Sequence, residues 1–110
     1  MDYGLLMEYI AIFCTTNSIE NAELIGNTLV QEKLAACTNI IPKLTSIYSW
    51  DNQIVKDEEV FLIIKTRKEL FEDVKNKIIT LHNYEVPEII AIDIKEGSKP
   101  YLEWIKENTK

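Results

Sequence analysis

Glycine, proline, cysteine and histidine are all scarce in this chain of 110 residues. Three glycines and three prolines exclude a collagen-like or Gly/Pro-rich disordered protein, and two cysteines are too few for a disulfide framework. No apolar run is long enough to cross a bilayer, and the opening residues 1–6 lack the basic segment that begins a secretory signal. These absences predict a cytoplasmic protein with free thiols and no membrane partner.

Acidic residues outnumber basic ones, and this imbalance excludes one class of partner. Eighteen acidic residues against twelve basic ones give a formal net charge of -6. A field of that sign repels a phosphate backbone, so we predict no nucleic-acid partner, whereas metal ions are not disfavoured. A chain of this length has room for one core. We therefore predict one domain at residues 8–110, preceded by a short extension at 1–7.

The hydrophobic pattern changes between strand and helix periods in the order β-α-β-β-α-β, followed by one more helix. Strand patterns cover 9–14, 36–41, 44–50, a long return strand ending at 66, and 89–94; helical spacing covers 19–34, 71–81 and the residues after Ser98. Asn17 or Ser18 is the expected cap of the first helix and Ser98 that of the last. Pro42 is expected to break the second strand, and Asp51-Asn52 to turn a long hairpin.

This order predicts an α+β, ferredoxin-like fold. Right-handed crossovers place both main helices on one face of an antiparallel four-stranded sheet, with the third strand between the first and the second. The other face should then be exposed to solvent and carry polar side chains. The return strand is instead apolar on both sides, with Val60, Leu62 and Ile64 on one and Phe61 and Ile63 on the other. The terminal helix, at roughly 15 Å, is long enough to hide only part of that face. We therefore expect another copy of the chain to cover the rest.

Several motifs stand in the order and spacing of a known family. They are Lys33-Leu34-Ala35-Ala36-Cys37 with Asn39-Ile40-Ile41-Pro42, Thr45-Ser46-Ile47-Tyr48 with Trp50, Glu58-Glu59-Val60, Ile64-Lys65-Thr66, Tyr84-Glu85-Val86-Pro87-Glu88-Ile89, and Tyr101-Leu102 with Trp104. From Tyr9 to about Ile105 the chain resembles the CutA divalent-cation-tolerance family. The resemblance implies a homotrimer of ferredoxin-like subunits around a three-fold axis, and a role in divalent-metal tolerance with copper binding in some members.

The resemblance also implies a copper site at Cys14 and His82. Copper favours thiolate and imidazole and accepts carboxylate as a further ligand, so the wider donor set includes Cys37, Glu59, Glu85 and Glu88. Two positions depart from the family pattern: Leu81 stands where some members have a second histidine, and Asn83 where a proline is usual. The alternatives are that the cysteines are buried small hydrophobes and that His82 caps a helix. A Cys14–Cys37 disulfide within one chain is not expected, because an intervening strand separates the two cysteines by about 9–10 Å.

Two functions remain open on the sequence. The first is a homotrimeric metal-tolerance protein. The second is a trimeric small-ligand sensor or interaction scaffold, similar in build to PII-type signalling proteins, with clefts between subunits that take an organic anion or a partner loop; Lys65 and Tyr84 are candidates to flank such a cleft. Tyr48 and Trp50 are candidates for a binding shelf or for subunit packing. An enzyme of acylphosphatase type is not expected, because residues 15–18 contain no glycine-rich anion cradle and Arg67 lies on another strand. We predict no enzymatic activity.

Overall fold

The computed structural model describes residues 7–110; residues 1–6 of the expected extension lie outside the described part. The elements are β1 (Tyr9–Thr16), α1 (Ile19–Gln31), β2 (Cys37–Trp50), β3 (Gln53–Arg67), α2 (Phe71–Leu81, after a single 3-10 turn), β4 (Ile90–Ile94) and α3 (Lys99–Glu107). All strand pairs are antiparallel, and the strand order is β2-β3-β1-β4. The predicted α+β fold and the position of the third strand are confirmed. None of the helices in residues 7–110 is long and apolar enough to span a membrane.

Helices α1 and α3 begin at the predicted caps. The Ser18 side chain accepts a hydrogen bond from the Asn21 backbone N–H at 3.1 Å, and Ser98 caps α3 in the same way through the Tyr101 N–H. Each cap satisfies a backbone donor that the first turn of a helix leaves without an internal partner. The caps therefore fix where α1 and α3 leave the preceding chain.

The second strand differs from the prediction at Pro42. The break expected there is a bulge, and β2 continues as one strand of 14 residues. The register against β3 shifts between Ile41 and Leu44, and Lys43 adopts a left-handed φ of 63°. A bulge leaves one residue unpaired, so the strand tolerates a proline that donates no backbone hydrogen bond. The hairpin beyond it turns at Asp51 and Asn52, whose φ values of 52° and 63° match a two-residue turn of type I′.

The core fills the space between the helices and one face of the sheet. Its centre is fully buried and comes from every layer: Ile12 on β1, Leu62 and Ile64 on β3, Ile25 on α1 and Ile78 on α2. Helix α1 approaches the sheet closely at Gly26, where an added Cβ would lie 3.1 Å from the Thr38 methyl. The helical layer thus covers this face of the sheet, as the topology predicts.

The opposite face is only partly covered, and we call it the open face: Ala11, Phe13, Ile41, Phe61, Ile63, Ile90 and Ile92. Helix α3 closes one end of it, burying Ile105 against Tyr9. The edge strand beyond stays uncovered, with Ile90 53% and Ile92 52% exposed. The prediction that α3 hides only part of this face is confirmed.

The aromatic residues of α3 are only partly covered in the single chain. Tyr101 and Trp104 remain 42% and 40% exposed and stack on each other, with ring centroids 5.6 Å apart. Ile105, rather than either aromatic ring, anchors the helix. The Lys65 ammonium lies 5.5 Å from the Tyr101 ring centroid, a cation–π arrangement at the end of the sheet.

Candidate functional site

Two of the predicted site residues meet at the end of β1. The Cys14 thiol donates to the Thr15 carbonyl oxygen across 3.8 Å, and the His82 Nε2 lies 2.7 Å from the same oxygen. Cys14 pairs with Leu62 within the sheet, and His82 directly follows α2. The sequence therefore identified two residues that the fold brings close together, although they stand far apart along the chain.

Both ring nitrogens of His82 are engaged in hydrogen bonds. The Tyr84 backbone N–H donates to Nδ1 at 3.0 Å, so Nδ1 carries no proton in this arrangement. Nε2 must then be the protonated nitrogen, because its partner, the Thr15 carbonyl, can only accept. The imidazole is a neutral tautomer that joins the loop after α2 to the end of β1.

The Cys14 side chain is fully buried and faces the core. Burial, together with the nearby carboxylates of Glu88 and Glu59, raises the pKa of its thiol to about 12. A thiol in such surroundings keeps its proton near neutral pH and is a poor nucleophile. Cys37 is partly exposed and pairs with Lys65 near the other end of the sheet. Both cysteines are free, in agreement with the absence of a disulfide between them.

These hydrogen bonds bear on the predicted copper site. A metal ion needs an imidazole lone pair and a thiolate, whereas both nitrogens of His82 are occupied and Cys14 is protonated. Within residues 7–110, no three Cys, His, Asp or Glu side chains lie close enough to hold one metal ion. In this arrangement the pair does not fit a copper ion. Its assignment as the ligand set stays a prediction.

A cavity of about 870 Å³ opens beside these residues, between the β2–β3 hairpin and the loop that follows α2. We call it the acidic cleft. Among residues 7–110, four carboxylates line it and no lysine or arginine does. The residues that line it are Thr15, Ser46, Ile47, Tyr48, Trp50, Val55, Asp57, Glu59, Asn83, Tyr84, Glu85, Val86 and Glu88.

Glu59 is the most enclosed carboxylate of the cleft, with 9% of its surface exposed. One of its oxygens accepts the Tyr84 hydroxyl at 2.7 Å; within residues 7–110 the other accepts no hydrogen bond, and no cationic group lies within ion-pair distance. Burial and this hydrogen bond raise the pKa of Tyr84, so its hydroxyl remains a donor. Tyr48 donates likewise to Asp57, a bond that raises the pKa of Tyr48.

The register of β3 decides which carboxylates share a face. Neighbouring residues of a strand point to opposite faces, so Glu59 shares its face with Asp57 and not with Glu58. Tyr84 lines the cleft, whereas Lys65 contacts Tyr101 and does not line it. Glu85 and Glu88 complete the acidic wall. The alternation of β3 was the one signal in the sequence that could have joined Asp57 to Glu59.

The strand order, the two helices on one face of the sheet and the long β2–β3 hairpin define a ferredoxin-like α+β domain. The family described as CutA1 divalent ion tolerance protein matches residues 10–108. The chain belongs to this family, and the resemblance seen in its motifs is confirmed.

Relatives are similar in sequence to this chain over most of its length. The divalent-cation tolerance protein CutA of Thermus thermophilus is 47% identical over 98 residues, which cover 89% of this chain and 95% of that protein. The chloroplastic protein CutA of Arabidopsis thaliana is 44% identical over 101 residues, covering 92% of this chain and 56% of that one. The chain thus spans only about half the length of the plant relative, and the same 56% holds for the human protein CutA.

Solved structures agree with the fold. The structure of the Cut A1 protein of Thermus thermophilus superimposes with a TM-score of 0.90 at 45% identity, covering 93% of this chain and 99% of that one. CutA1 from Oryza sativa gives a TM-score of 0.91 at 39% identity, with 94% of each chain covered. The divalent-cation tolerance family is therefore supported by sequence and by fold.

Proposed function

We propose that the chain works as a homotrimer in the cytoplasm, where it serves tolerance to divalent cations without catalytic activity. The observation that carries the assembly is the open face. Ile90 and Ile92 lie on an edge strand with about half of each side chain in water, beside partly buried Phe13 and Ile63. An apolar face of this kind is typical of a surface that another subunit covers. The number of three subunits comes from the family resemblance.

The long hairpin supports the same proposal. At its far end Ile47 is 67%, Trp50 60% and Ile54 78% exposed. A two-stranded ribbon that extends beyond its sheet is marginally stable in water unless something packs on it. A neighbouring copy would supply that contact, so association of subunits would cover both the hairpin and the open face.

Mass measurement in solution tests the assembly directly. We expect native mass spectrometry and light scattering to give three times the 12.8 kDa chain mass across micromolar concentrations. A monomer at those concentrations would contradict the proposal. The tolerance function is tested separately, by expressing the chain in cells that lack their own family member and measuring growth against copper, zinc and cobalt. We expect growth at metal concentrations that arrest the empty-vector control.

Copper binding by Cys14 and His82 is the finer part of the proposal. Its support is that the Cys14 sulfur and the His82 imidazole both contact the Thr15 carbonyl oxygen, at 3.8 Å and 2.7 Å. Binding there requires the thiol to lose its proton and the ring to release one hydrogen bond. Copper titration of the wild type, Cys14→Ser and His82→Ala tests the assignment, with Cys37→Ser as the matched cysteine control. Equal affinity in all four proteins would remove it.

A small-ligand sensor is the second candidate function, and the acidic cleft is the observation that favours it. The cleft has the volume of a small-molecule site, with aromatic walls and a nearly buried carboxylate. Thermal-shift screening of charged metabolites would distinguish this function, because a sensor is stabilised by an organic ligand in the absence of metal.

A further inference from the structure

We propose that Asn21 and Asn83 are positioning residues for His82, which hold its imidazole in internal hydrogen bonds and so withhold it from metal ions. Each asparagine joins the loop after α2 to the segment that runs from the end of β1 into α1. We call these two bonds, together with the bond from His82 to Thr15, the clasp. The inference rests on the proposed copper site only where it concerns metal, and the clasp itself is tested without any metal.

The inner bond of the clasp is made by Asn21, which is only 5% exposed. Its side-chain N–H donates to the Leu81 carbonyl oxygen at 3.0 Å. Leu81 is the last residue of α2, and the carbonyls in the last turn of a helix have no partner within that helix. Asn21 therefore holds the end of α2 from the first turn of α1, although the two residues are 60 positions apart.

The amide of Asn21 makes this bond at a cost. Its oxygen, Oδ1, is buried and accepts no hydrogen bond from any of residues 7–110. Turning the amide over would place that oxygen against the Leu81 carbonyl, which can only accept, so the orientation is fixed. A buried acceptor without a partner costs free energy, and a leucine of similar size would avoid that cost. What the asparagine contributes is therefore its bond to Leu81.

This bond determines where the His82 side chain starts. The peptide between Leu81 and His82 is planar, and both of its polar atoms are bonded. Its oxygen accepts from Asn21, and its N–H donates to the Ile78 carbonyl at 2.8 Å. The chain leaves the helix at His82, which has an extended conformation with φ -75° and ψ 147°. Asn21 thus acts on the ring through the backbone.

Asn83 holds the loop on the other side of His82. Its side-chain N–H donates to Oδ1 of Asn17 at 3.0 Å, just before α1 begins. This bond is exposed to solvent and is therefore the weaker part of the clasp. Because the residues on both sides of the ring are tied to one segment, the ring is held where its Nε2 lies 2.7 Å from the Thr15 carbonyl oxygen.

A ring held in this way is withheld from a metal ion. Nε2 donates to Thr15 and Nδ1 accepts the Tyr84 N–H, so neither nitrogen offers a free lone pair. A metal ion has to displace one of these bonds, and the clasp opposes this because it fixes the backbone on both sides of the ring. Loosening the clasp should therefore make His82 a better ligand. A residue that preorganises a metal site would have the opposite effect.

Nuclear magnetic resonance tests the clasp without metal. The chain contains a single histidine, so every imidazole signal of the untagged protein comes from His82. In the wild type we expect a resolved ring N–H resonance, because this proton is bonded to the Thr15 carbonyl and exchanges slowly with water. In Asn21→Leu we expect exchange to broaden the resonance beyond detection. Asn27→Leu makes the same substitution at an exposed position of α1 and should keep it.

The outer bond has its own matched pair of variants at Asn17, which is exposed. Asn17→Asp keeps an oxygen that accepts from Asn83, whereas Asn17→Ala removes it. We expect the ring N–H to exchange at least about threefold faster in Asn17→Ala, and at the wild-type rate in Asn17→Asp. Asn83→Ala should match Asn17→Ala, and combining the two should add nothing, since both remove the same bond.

Copper titration against a competing chelator tests the withholding of His82. We expect Asn21→Leu to bind copper about three- to tenfold more tightly than the wild type, the factor to which one hydrogen bond corresponds. Adding His82→Ala to this variant should abolish the gain, because the released imidazole is its source. Equal or weaker copper binding in Asn21→Leu would overturn the withholding.

Failure of the clasp and failure of the proposed copper site give different results. A ring N–H that is unchanged in Asn21→Leu, or lost equally in Asn27→Leu, would overturn the clasp. If Asn21→Leu does not fold, equal exchange rates in Asn17→Ala and Asn17→Asp would overturn it instead. Loss of the ring N–H in Asn21→Leu alone, together with copper affinity that no change at Cys14 or His82 alters, would support the clasp and remove the copper site.

Discussion

A double substitution on the open face tests the proposed subunit contact, and the structure gives the expected loss of binding free energy. Replacing Ile90 and Ile92 together by glutamate should convert the assembled protein to folded monomer. Both side chains are on edge strand β4, on the side of the sheet away from α1 and α2, and each is about half exposed in the single chain. The substitutions therefore alter the proposed contact and leave the helix-side core intact.

The magnitude follows from the exposed fractions. Complete burial of an isoleucine contributes about 1.5–3 kcal/mol, so covering the exposed 53% and 52% of Ile90 and Ile92 contributes roughly 1.6–3 kcal/mol per subunit. Three subunits lose about 5–9 kcal/mol, which weakens a trimer at least about a thousandfold. Each new carboxylate pressed into an apolar contact costs several kcal/mol more, unless it stays in water. Dissociation is the only arrangement that keeps it there.

The assay is native mass spectrometry with light scattering over a dilution series. The matched control is Val30→Glu with Ile79→Glu, two helix positions that are 42% and 52% exposed. The control adds the same charge and removes similar apolar surface from the helical layer. We expect it to keep the wild-type mass. Dissociation of both variants, or of neither, would refute the assignment of the open face as the subunit contact.

Three further predictions concern stability. Cys14→Ser should reduce the loss of stability at alkaline pH. Burial raises the pKa of the Cys14 thiol from 9.0 to about 12, so the unfolded chain loses this proton at lower pH than the folded one. Between those pH values the free energy of unfolding of the wild type therefore falls by about 1.4 kcal/mol per pH unit. Urea unfolding at several pH values measures this, and equal slopes would contradict it. Leu62→Ala should cost about 2–5 kcal/mol, because the side chain is fully buried, and unchanged denaturation midpoints would exclude this. Ser18→Ala should cost about 1 kcal/mol through the lost cap, with Ser49→Ala on the hairpin as the neutral control; equal effects of the two would argue against a cap.

The fold was predictable because its determinants are local. The doubled apolar pattern of β3 indicated both the core and the open face, and Ser18 and Ser98 marked two helix starts. The bulge at Pro42 was not predictable in the same way, because a proline breaks a strand or bulges it according to the partner strand. Whether Pro42 breaks or bulges β2 depends on how β2 pairs with β3, and the local sequence around Pro42 does not reveal that pairing.

The site was predictable only in its parts. The resemblance named Cys14 and His82 together, and both contact the Thr15 carbonyl oxygen, but the hydrogen bonds of His82 depend on contacts that propensity does not encode. Its ring reaches a carbonyl 67 positions away on β1 and the backbone N–H of Tyr84. Helix capping was the expected alternative role; the His82 backbone N–H does bond to Ile78 at the end of α2, while the ring serves the loop. Predicting the cleft would have required both the register of the hairpin and the path of that loop.

Copper titration of His82 variants needs a design that separates ligation from support of this loop. Loss of binding in His82→Ala has two explanations, because alanine removes the imidazole and both hydrogen bonds that hold Tyr84 and Thr15. His82→Asn retains a side-chain oxygen that can accept from the Tyr84 N–H, and His82→Gln retains an N–H that can reach the Thr15 carbonyl, while neither amide replaces imidazole as a copper ligand. If His82 ligates copper, affinity falls alike in all three variants. Affinity that survives in the amide variants and fails in alanine would instead make the ring a support for the loop.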